Sequence, residues 1–507
     1  MKKRLFTVIV ILLFSCGALW SQKFEASWTS LSAYKTPAWF RDAKFGIFMH
    51  WGIQSAMQED RPYGGSHYGR YMYGQGEYPP EHERSVMAEK LLTWHTTTFG
   101  NPSTFGYKDF IPAFKAEKWN PDSLVAFFKL IGAKYIVPVA VHHDNFDMYE
   151  SFHRWNAVKM GPKKDIIKGW KEATEKHGLR FGVSTHIDRV PSFFQTARKY
   201  DAANPAYKDF YASNYLIDYA KDTAWNRVVY NRTTELISKY KPDLLYFDGA
   251  LPGIQHGMNY GLEIAAQFYN NNIKQHNGKL EAVINLKHGA DKRAFVWDIE
   301  RGQADALQQL PWQTDTDLSG GWFYRKTNTQ FTPDVLIGNL IDIVSKNGNL
   351  LLNVGLKGDG TLPENQIAVL KELGNWLSIN GEAIYGTRPW LVYGEGPTKT
   401  TSGAFQEQKK PYTEEDIRFT VKNNFLYAFV LKTPGKNIEI KSLSSTLTLA
   451  NKIEAVSLLG SNEIVQWKQT PTALEIKLPS SLPSKYAVAF KIQLDDKSRQ
   501  TWELIIE

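Results

Sequence analysis

Short apolar runs recur along the first three quarters of the chain, and each hands over to a polar side chain where it ends. Phe45 through Met49 leads to His50 and Trp51, Tyr135 through Val141 to His142 and His143, and Phe181 through Thr185 to His186. Leu244-Leu245-Tyr246-Phe247 leads to Asp248, Ala282 through Leu286 to Lys287, and Phe295 through Ile299 to Glu300; Asn349 through Val354 completes the series. Apolar runs bounded by turn signals suit strands buried on both faces. Between them, Asp122 to Ile131, Asp165 to His177, Trp225 to Tyr240 and Pro333 to Lys346 carry apolar residues at helical spacing. Strands alternating with helices predict a parallel sheet. Seven or eight such units over about 350 residues predict an α/β fold of the (β/α)8 TIM-like barrel type. The competing arrangement, an open doubly wound sheet, lacks here a Gly-rich phosphate loop after the first strand.

The pattern changes near Trp390, after a helix predicted over Glu364 to Asn380. Short alternating segments follow at Ile417–Val421, Phe425–Val430, Ile438–Ile440, Ala473–Leu478 and Tyr486–Ile492. Turn residues separate them as in a C-terminal antiparallel β-sandwich. No cluster of reactive side chains accompanies them, so this second domain is expected to pack and stabilise. With 507 residues the chain exceeds one core. The expected division is residues 1–22, 23–388 and 389–507.

The N-terminus reads as an export signal: Lys2-Lys3-Arg4 precedes an apolar run from Leu5 to Phe14, too short to span a membrane as a mature helix. The single cysteine, Cys16, lies behind Leu13-Phe14-Ser15, as in a bacterial lipoprotein cleavage box. Either Cys16 is lipidated and tethers the protein to a membrane, or cleavage falls near Ser21-Gln22. The expected location is the periplasm, the outer membrane or the medium. In both cases the folded part has no thiol, which excludes a cysteine nucleophile and a thiolate zinc site. The net charge is +8, three of it from Lys2, Lys3 and Arg4, and no basic block accompanies it. Nucleic acid is therefore not an expected partner. With 16 Trp, 25 Tyr and 28 Phe the chain is rich in rings, several of them in expected loops (Tyr68, Tyr71, Tyr73, Trp94, Trp155, Trp312, Trp322). Stacking on sugar C–H faces or plain core packing would each account for them.

An Asp at the end of a buried strand points out of the sheet's C-terminal edge, where α/β folds place their chemistry. Asp248 before Gly249 could equally cap a helix or close a turn; the recurrence of polar groups at strand ends favours chemistry. The strand-end histidines suit hydrogen bonds to hydroxyl groups, because a neutral imidazole offers one donor and one acceptor. They could instead hold zinc, but no fourth ligand stands at a recognisable spacing, so neither metal nor cofactor is expected.

Several segments taken in order resemble the α-L-fucosidases of glycoside hydrolase family 29. They are Trp39 through Gly52, Lys134-Tyr135 through Phe146, Pro162 through Ile166, Lys241 through Gly249, Gly348 through Gly355, Gly358-Asp359-Gly360 and Trp376 through Tyr385. The resemblance implies retaining hydrolysis of terminal α-L-fucosyl residues of fucosylated glycans on a barrel followed by a sandwich. Asp248 matches the family nucleophile, and His50, His142 and His143 match positions that bind sugar hydroxyls. Trp51, His186, Tyr246 and Lys287 at the strand ends, with Tyr68 and Trp322 in loops, complete the expected sugar contacts.

The family draws its acid/base from more than one place. One placement falls in Pro311-Trp312-Gln313-Thr314-Asp315, where many relatives carry Trp-Glu and this chain has Gln313. The other falls about a dozen residues after the basic residue of a strand-end segment, here Ile284-Asn285-Leu286-Lys287, and lands on Glu300. Glu300 is the expected acid/base, with Asp298 as runner-up on the same side of the strand, one pleat deeper. The alternative role for Glu300 is an ion pair with Arg301 or Lys287. Ser66-His67-Tyr68 replaces the commoner Glu-Trp-Tyr, and Ser184 through Asp188 also departs from the usual pattern. These departures leave open a related L-sugar such as α-L-galactoside, and Gln313 leaves open a catalytically silent carbohydrate-binding relative.

Overall fold

Eight strands close into a parallel barrel in sequence order: β1 (Phe45–Met49), β2 (Tyr135–Val141), β3 (Arg180–Thr185), β4 (Leu244–Phe247), β5 (Val283–Leu286), β6 (Val296–Asp298), β7 (Trp312–Asp317) and β8 (Gly348–Asn353). The computed structural model describes residues 23–57, 66–74, 78–289, 291–326, 329, 331–447 and 452–495. The expected signal segment and Cys16 lie outside the described residues. The helices follow the expected periodicity closely. Asn120, Asp165 and Asp222 each accept a hydrogen bond from the backbone N–H three residues on, so three helices start where a capping side chain stands.

β7 departs from the apolar rule. Its sequence, Trp-Gln-Thr-Asp-Thr-Asp, reads as a polar loop, yet all six residues are buried. Gln313, Asp315 and Asp317 alternate with outward residues and take their partners inside the barrel. The Tyr135 hydroxyl donates to Gln313 Oε1 across the barrel at 2.9 Å, and Gln313 Nε2 donates to Asp298 at 2.8 Å. Tyr135 has room to cross because its neighbour on β1 is Gly46; a Cβ there would lie 2.4 Å from the ring.

β6 ends at Asp298, before the expected Glu300. The Ile299 and Arg301 N–H groups still donate to the Gln313 and Asp315 carbonyls, which keeps Asp298 and Glu300 on one side.

The second domain packs a five-stranded antiparallel sheet (order β13-β16-β11-β10-β9) against a three-stranded one (β12-β15-β14). Its strands are β9 (Arg388–Glu395), β10 (Ile417–Lys422), β11 (Phe425–Val430), β12 (Ile438–Ile440), β13 (Ile453–Leu458), β14 (Trp467–Gln469), β15 (Leu474–Ile476) and β16 (Val488–Leu494). β11 is buried on both faces: Leu426, Ala428 and Val430 face into the sandwich, while Tyr427 and Phe429 join the core of the barrel domain. The join is polar as well. Asp342, on the helix Pro333–Ser345, receives Arg418 Nε of β10 at 2.6 Å and Lys346 Nζ at 2.7 Å, all three buried.

Candidate active site

The C-terminal ends of the barrel strands converge on a cavity of about 980 Å³. Lys287, after β5, stands between three carboxylates: Asp248 Oδ1 at 2.6 Å, Glu300 Oε2 at 2.9 Å and Asp315 Oδ2 at 3.5 Å. Burial alone would favour the neutral amine, but Asp248, Asp315 and Glu300 outweigh it and hold Lys287 well above an ordinary lysine.

The carboxyls on either side of this ammonium are driven apart. Burial would raise Asp248, but Lys287, His186 and His143 prevail and hold it well below the usual carboxylate range. Burial raises Glu300, and the charges of Asp315 and Asp248 add to it against Lys287, so its pKa stands above that of an ordinary glutamate. Both groups contact the same nitrogen, so the contacting oxygens are no farther apart than those two contacts laid end to end. Glu300 does pair with Lys287, as its alternative role required, whereas Arg301 turns away to Glu407 at 3.0 Å.

Four buried imidazoles line the cavity beside Asp248. His143 donates Nδ1–H to the His186 carbonyl at 2.6 Å and sets Nε2 at 3.1 Å from Asp248 Oδ2; burial draws its pKa down to about 3 against the pull of Asp248. His186 Nδ1 lies 3.3 Å from the same oxygen, and its Nε2 meets Ser184 Oγ at 2.6 Å.

His50 and His142, both lowered by burial, present opposite faces. Asn353 spends its amide N–H groups on Asp317 and the Trp322 carbonyl, so its oxygen must accept from His50 Nδ1 at 2.9 Å. That leaves His50 Nε2 as an acceptor toward the cavity. Gln54 Nε2 donates to His142 Nδ1 at 3.3 Å, which makes His142 Nε2 a donor.

The ring nitrogens of His50, His142 and His186 lie within 4.8 Å of one another, as do those of His143 and His186 with an Asp248 oxygen. Proximity would allow a cation. The proton on His142 Nε2 and the ammonium of Lys287 both stand against one.

Trp322 joins the wall by a constrained route. Its backbone is left-handed (φ +64°), its N–H donates to Asp317 Oδ2 at 2.7 Å, and its ring lies 4.9 Å from that of His50. Asp317 and Asn353 are not singled out by the sequence; the signal was available for Asn353, which ends an apolar strand, but not for Asp317, which ends the polar β7.

Three expected sugar contacts fall elsewhere. Trp51 is buried, donates its indole N–H to the Lys357 carbonyl at 2.8 Å and packs on Phe114 and Trp119, outside the cavity. Tyr68 is buried and pairs with His95 at 2.9 Å. Tyr246 lies beneath the floor, its hydroxyl donating to Asp315 at 2.9 Å and Asp298 at 3.2 Å. Each follows from burial: a ring that fills a core gap is not free to face a ligand. Of the loop aromatics, Tyr71, Tyr73 and Trp155 are likewise core residues, and only Trp322 and the edge of Trp312 reach the cavity. Asp298 sits deeper than Glu300. Tyr246 and Gln313 take its two oxygens, and burial, then Asp315, pushes its pKa well up. Of the two, Glu300 is the more open to the space, its side chain 24 % exposed.

A parallel barrel that brings two carboxyls with oppositely shifted pKa values together at its strand ends has the site of a glycoside hydrolase. Residues 11–382 match the family model described as Alpha-L-fucosidase, and residues 408–493 that of the Alpha-L-fucosidase C-terminal domain. The chain belongs to the alpha-L-fucosidase family. It is 28% identical to the tissue alpha-L-fucosidase of Bos taurus (93% of this chain, 91% of that one) and 27% identical to that of Homo sapiens (93% and 92%). Among solved structures, the Thermotoga maritima alpha-fucosidase in complex with fucose superposes with a TM-score of 0.70 at 28% identity, covering 93% of this chain and all of that one.

Proposed function

We propose that this protein is an exo-acting, retaining α-L-fucosidase in which Asp248 is the nucleophile and Glu300 the acid/base. The observation that carries the reading is the pair of carboxyls sharing Lys287 with oppositely shifted pKa values. Retaining glycosidases need carboxyl groups about 5–5.5 Å apart, one ionised and one protonated, and inverting ones about 6.5–9.5 Å; the two Lys287 contacts keep the contacting oxygens closer than the inverting range. Asp248 attacks the anomeric carbon while Glu300 gives its proton to the departing oxygen. Once Asp248 is esterified its charge no longer raises Glu300, which can then take a proton from the incoming water. His50 and His142 offer an acceptor and a donor to sugar hydroxyls. The fucose-bound Thermotoga maritima relative supports fucose as the sugar.

Gln313 does not favour a silent relative: it is buried between Tyr135 and Asp298 and serves the barrel interior. The basic and apolar N-terminal segment supports export as the setting of this activity. The test is a pair of variants. Asp248→Asn should lose several powers of ten in kcat while still binding fucose. Glu300→Ala should be nearly inactive on a fucosyl-oligosaccharide, yet retain activity on an aryl fucoside with a good leaving group and respond to azide. A folded Asp248→Asn variant of near-normal rate would sink the assignment.

A further inference from the structure

The cavity is far larger than one monosaccharide requires, and its outer end is walled by a segment of the other domain. Ser402 to Phe405, in the connection between β9 and β10, line it together with Leu307 to Pro311. This connection is spliced onto the Glu300 loop. The Phe405 N–H donates to the Glu300 carbonyl at 2.8 Å, the Glu407 N–H to the Arg301 carbonyl at 3.0 Å, and the Gly403 N–H to the Gln303 carbonyl at 3.2 Å. Gly302 permits the approach, since a Cβ there would stand 2.0 Å from the Gly403 oxygen. Arg301 and Glu407 add the ion pair already described.

At this junction Phe405 is an anomaly. Its side chain is 59 % exposed, and its backbone is left-handed (φ +60°), a conformation that costs a bulky residue strain. The fold therefore gains little burial from this ring and holds it at a cost. Two further exposed apolar side chains, Leu307 and Leu310, line the same cavity.

We propose that the β9–β10 connection carries the leaving-group subsite, with Phe405 as the platform for the apolar C–H face of the sugar from which fucose is released. The proposal rests on Glu300 as the proton donor. A donor must reach the glycosidic oxygen, so the departing sugar lies on the side of Glu300, and the residue bonded to the Glu300 backbone is Phe405. The exposed Phe405 ring, with the Arg301 guanidinium 5.9 Å from its centroid and Leu307 and Leu310 lining the same cavity, offers a stacking platform that suits the C–H face of a carbohydrate ring.

The experiment compares a fucosylated trisaccharide with α-L-fucosyl fluoride, which has no leaving sugar and needs little protonation. Phe405→Ala should cost the trisaccharide about tenfold more in kcat/KM than it costs the fluoride, chiefly through KM. Phe405→Trp should restore the trisaccharide. Equal losses on both substrates, or no loss on either, would overturn the subsite. Glu300→Ala in the same series keeps the two readings apart. If it harms both substrates equally, the acid/base assignment fails; if it spares the fluoride while Phe405→Ala shows no discrimination, only the subsite fails.

Discussion

Lys287 shows how one side chain sets the working range of two others. Its ammonium lowers the pKa of both Asp248 and Glu300. On the proposed mechanism activity needs Asp248 ionised and Glu300 protonated, so it should fall on the acid side as Asp248 gains a proton and on the alkaline side as Glu300 loses one. Removing the cation raises both values, so Lys287→Met should move both limbs of the kcat/KM profile to higher pH. The same variant should cost about 3–5 kcal/mol of stability, because carboxylates once paired in a buried site lose their counter-charge. Profiles whose limbs stay in place would show that Lys287 does not tune the pair. The imidazoles invite a separate check. Dialysis against a strong chelator should leave activity intact, and activity that vanished and returned with zinc would reassign them as ligands.

At the scale of the element, β7 is the one barrel strand that the apolar pattern does not mark. Its inward positions are occupied by Gln313, Asp315 and Asp317, so the apolar signal for a buried parallel strand is missing. What makes the strand stable is pairing that only the closed barrel supplies, from Tyr135, Asp298, Tyr246 and Asn353. A buried polar group without such a partner costs about 1–3 kcal/mol. Gln313→Glu therefore should not act as an alternative acid, even though many family members carry Glu at this place. It would set a fully buried carboxyl against Asp298 and lower the melting temperature without restoring activity to Glu300→Ala. Recovery of trisaccharide cleavage in that double variant would contradict this.

Across the whole molecule, the sandwich is more than a neighbour. The Asp342–Arg418–Lys346 cluster, the Tyr427–Phe429 face and the Phe405–Glu300 contact join it to the barrel from core to active site. Arg418→Met leaves Asp342 with one partner in an apolar interior and should cost about 3–5 kcal/mol, read as a lower unfolding midpoint in denaturant. The expectation of a purely stabilising second domain, drawn from its lack of reactive side chains, overlooked backbone. Its closest approach to the site is made by peptide groups and one phenylalanine.

The parts legible in the sequence were those governed by local rules. Apolar runs ending in polar residues marked seven barrel strands, apolar residues at helical spacing marked the main helices, and period-two segments marked several sandwich strands. Strand ends also brought Asp248, Lys287, Glu300 and the histidines into view as one group, because every parallel strand of a barrel delivers its last side chain to the same rim. Tertiary structure alone decided what depends on who stands opposite. It made Trp51, Tyr68 and Tyr246 packing or supporting residues, turned the polar β7 inward, gave both oxygens of Asp298 to Tyr246 and Gln313, and brought Phe405 from another domain to the Glu300 backbone. The physical reason is that burial, pairing and pKa are properties of contacts between distant segments, whereas periodicity and capping are properties of neighbours along the chain.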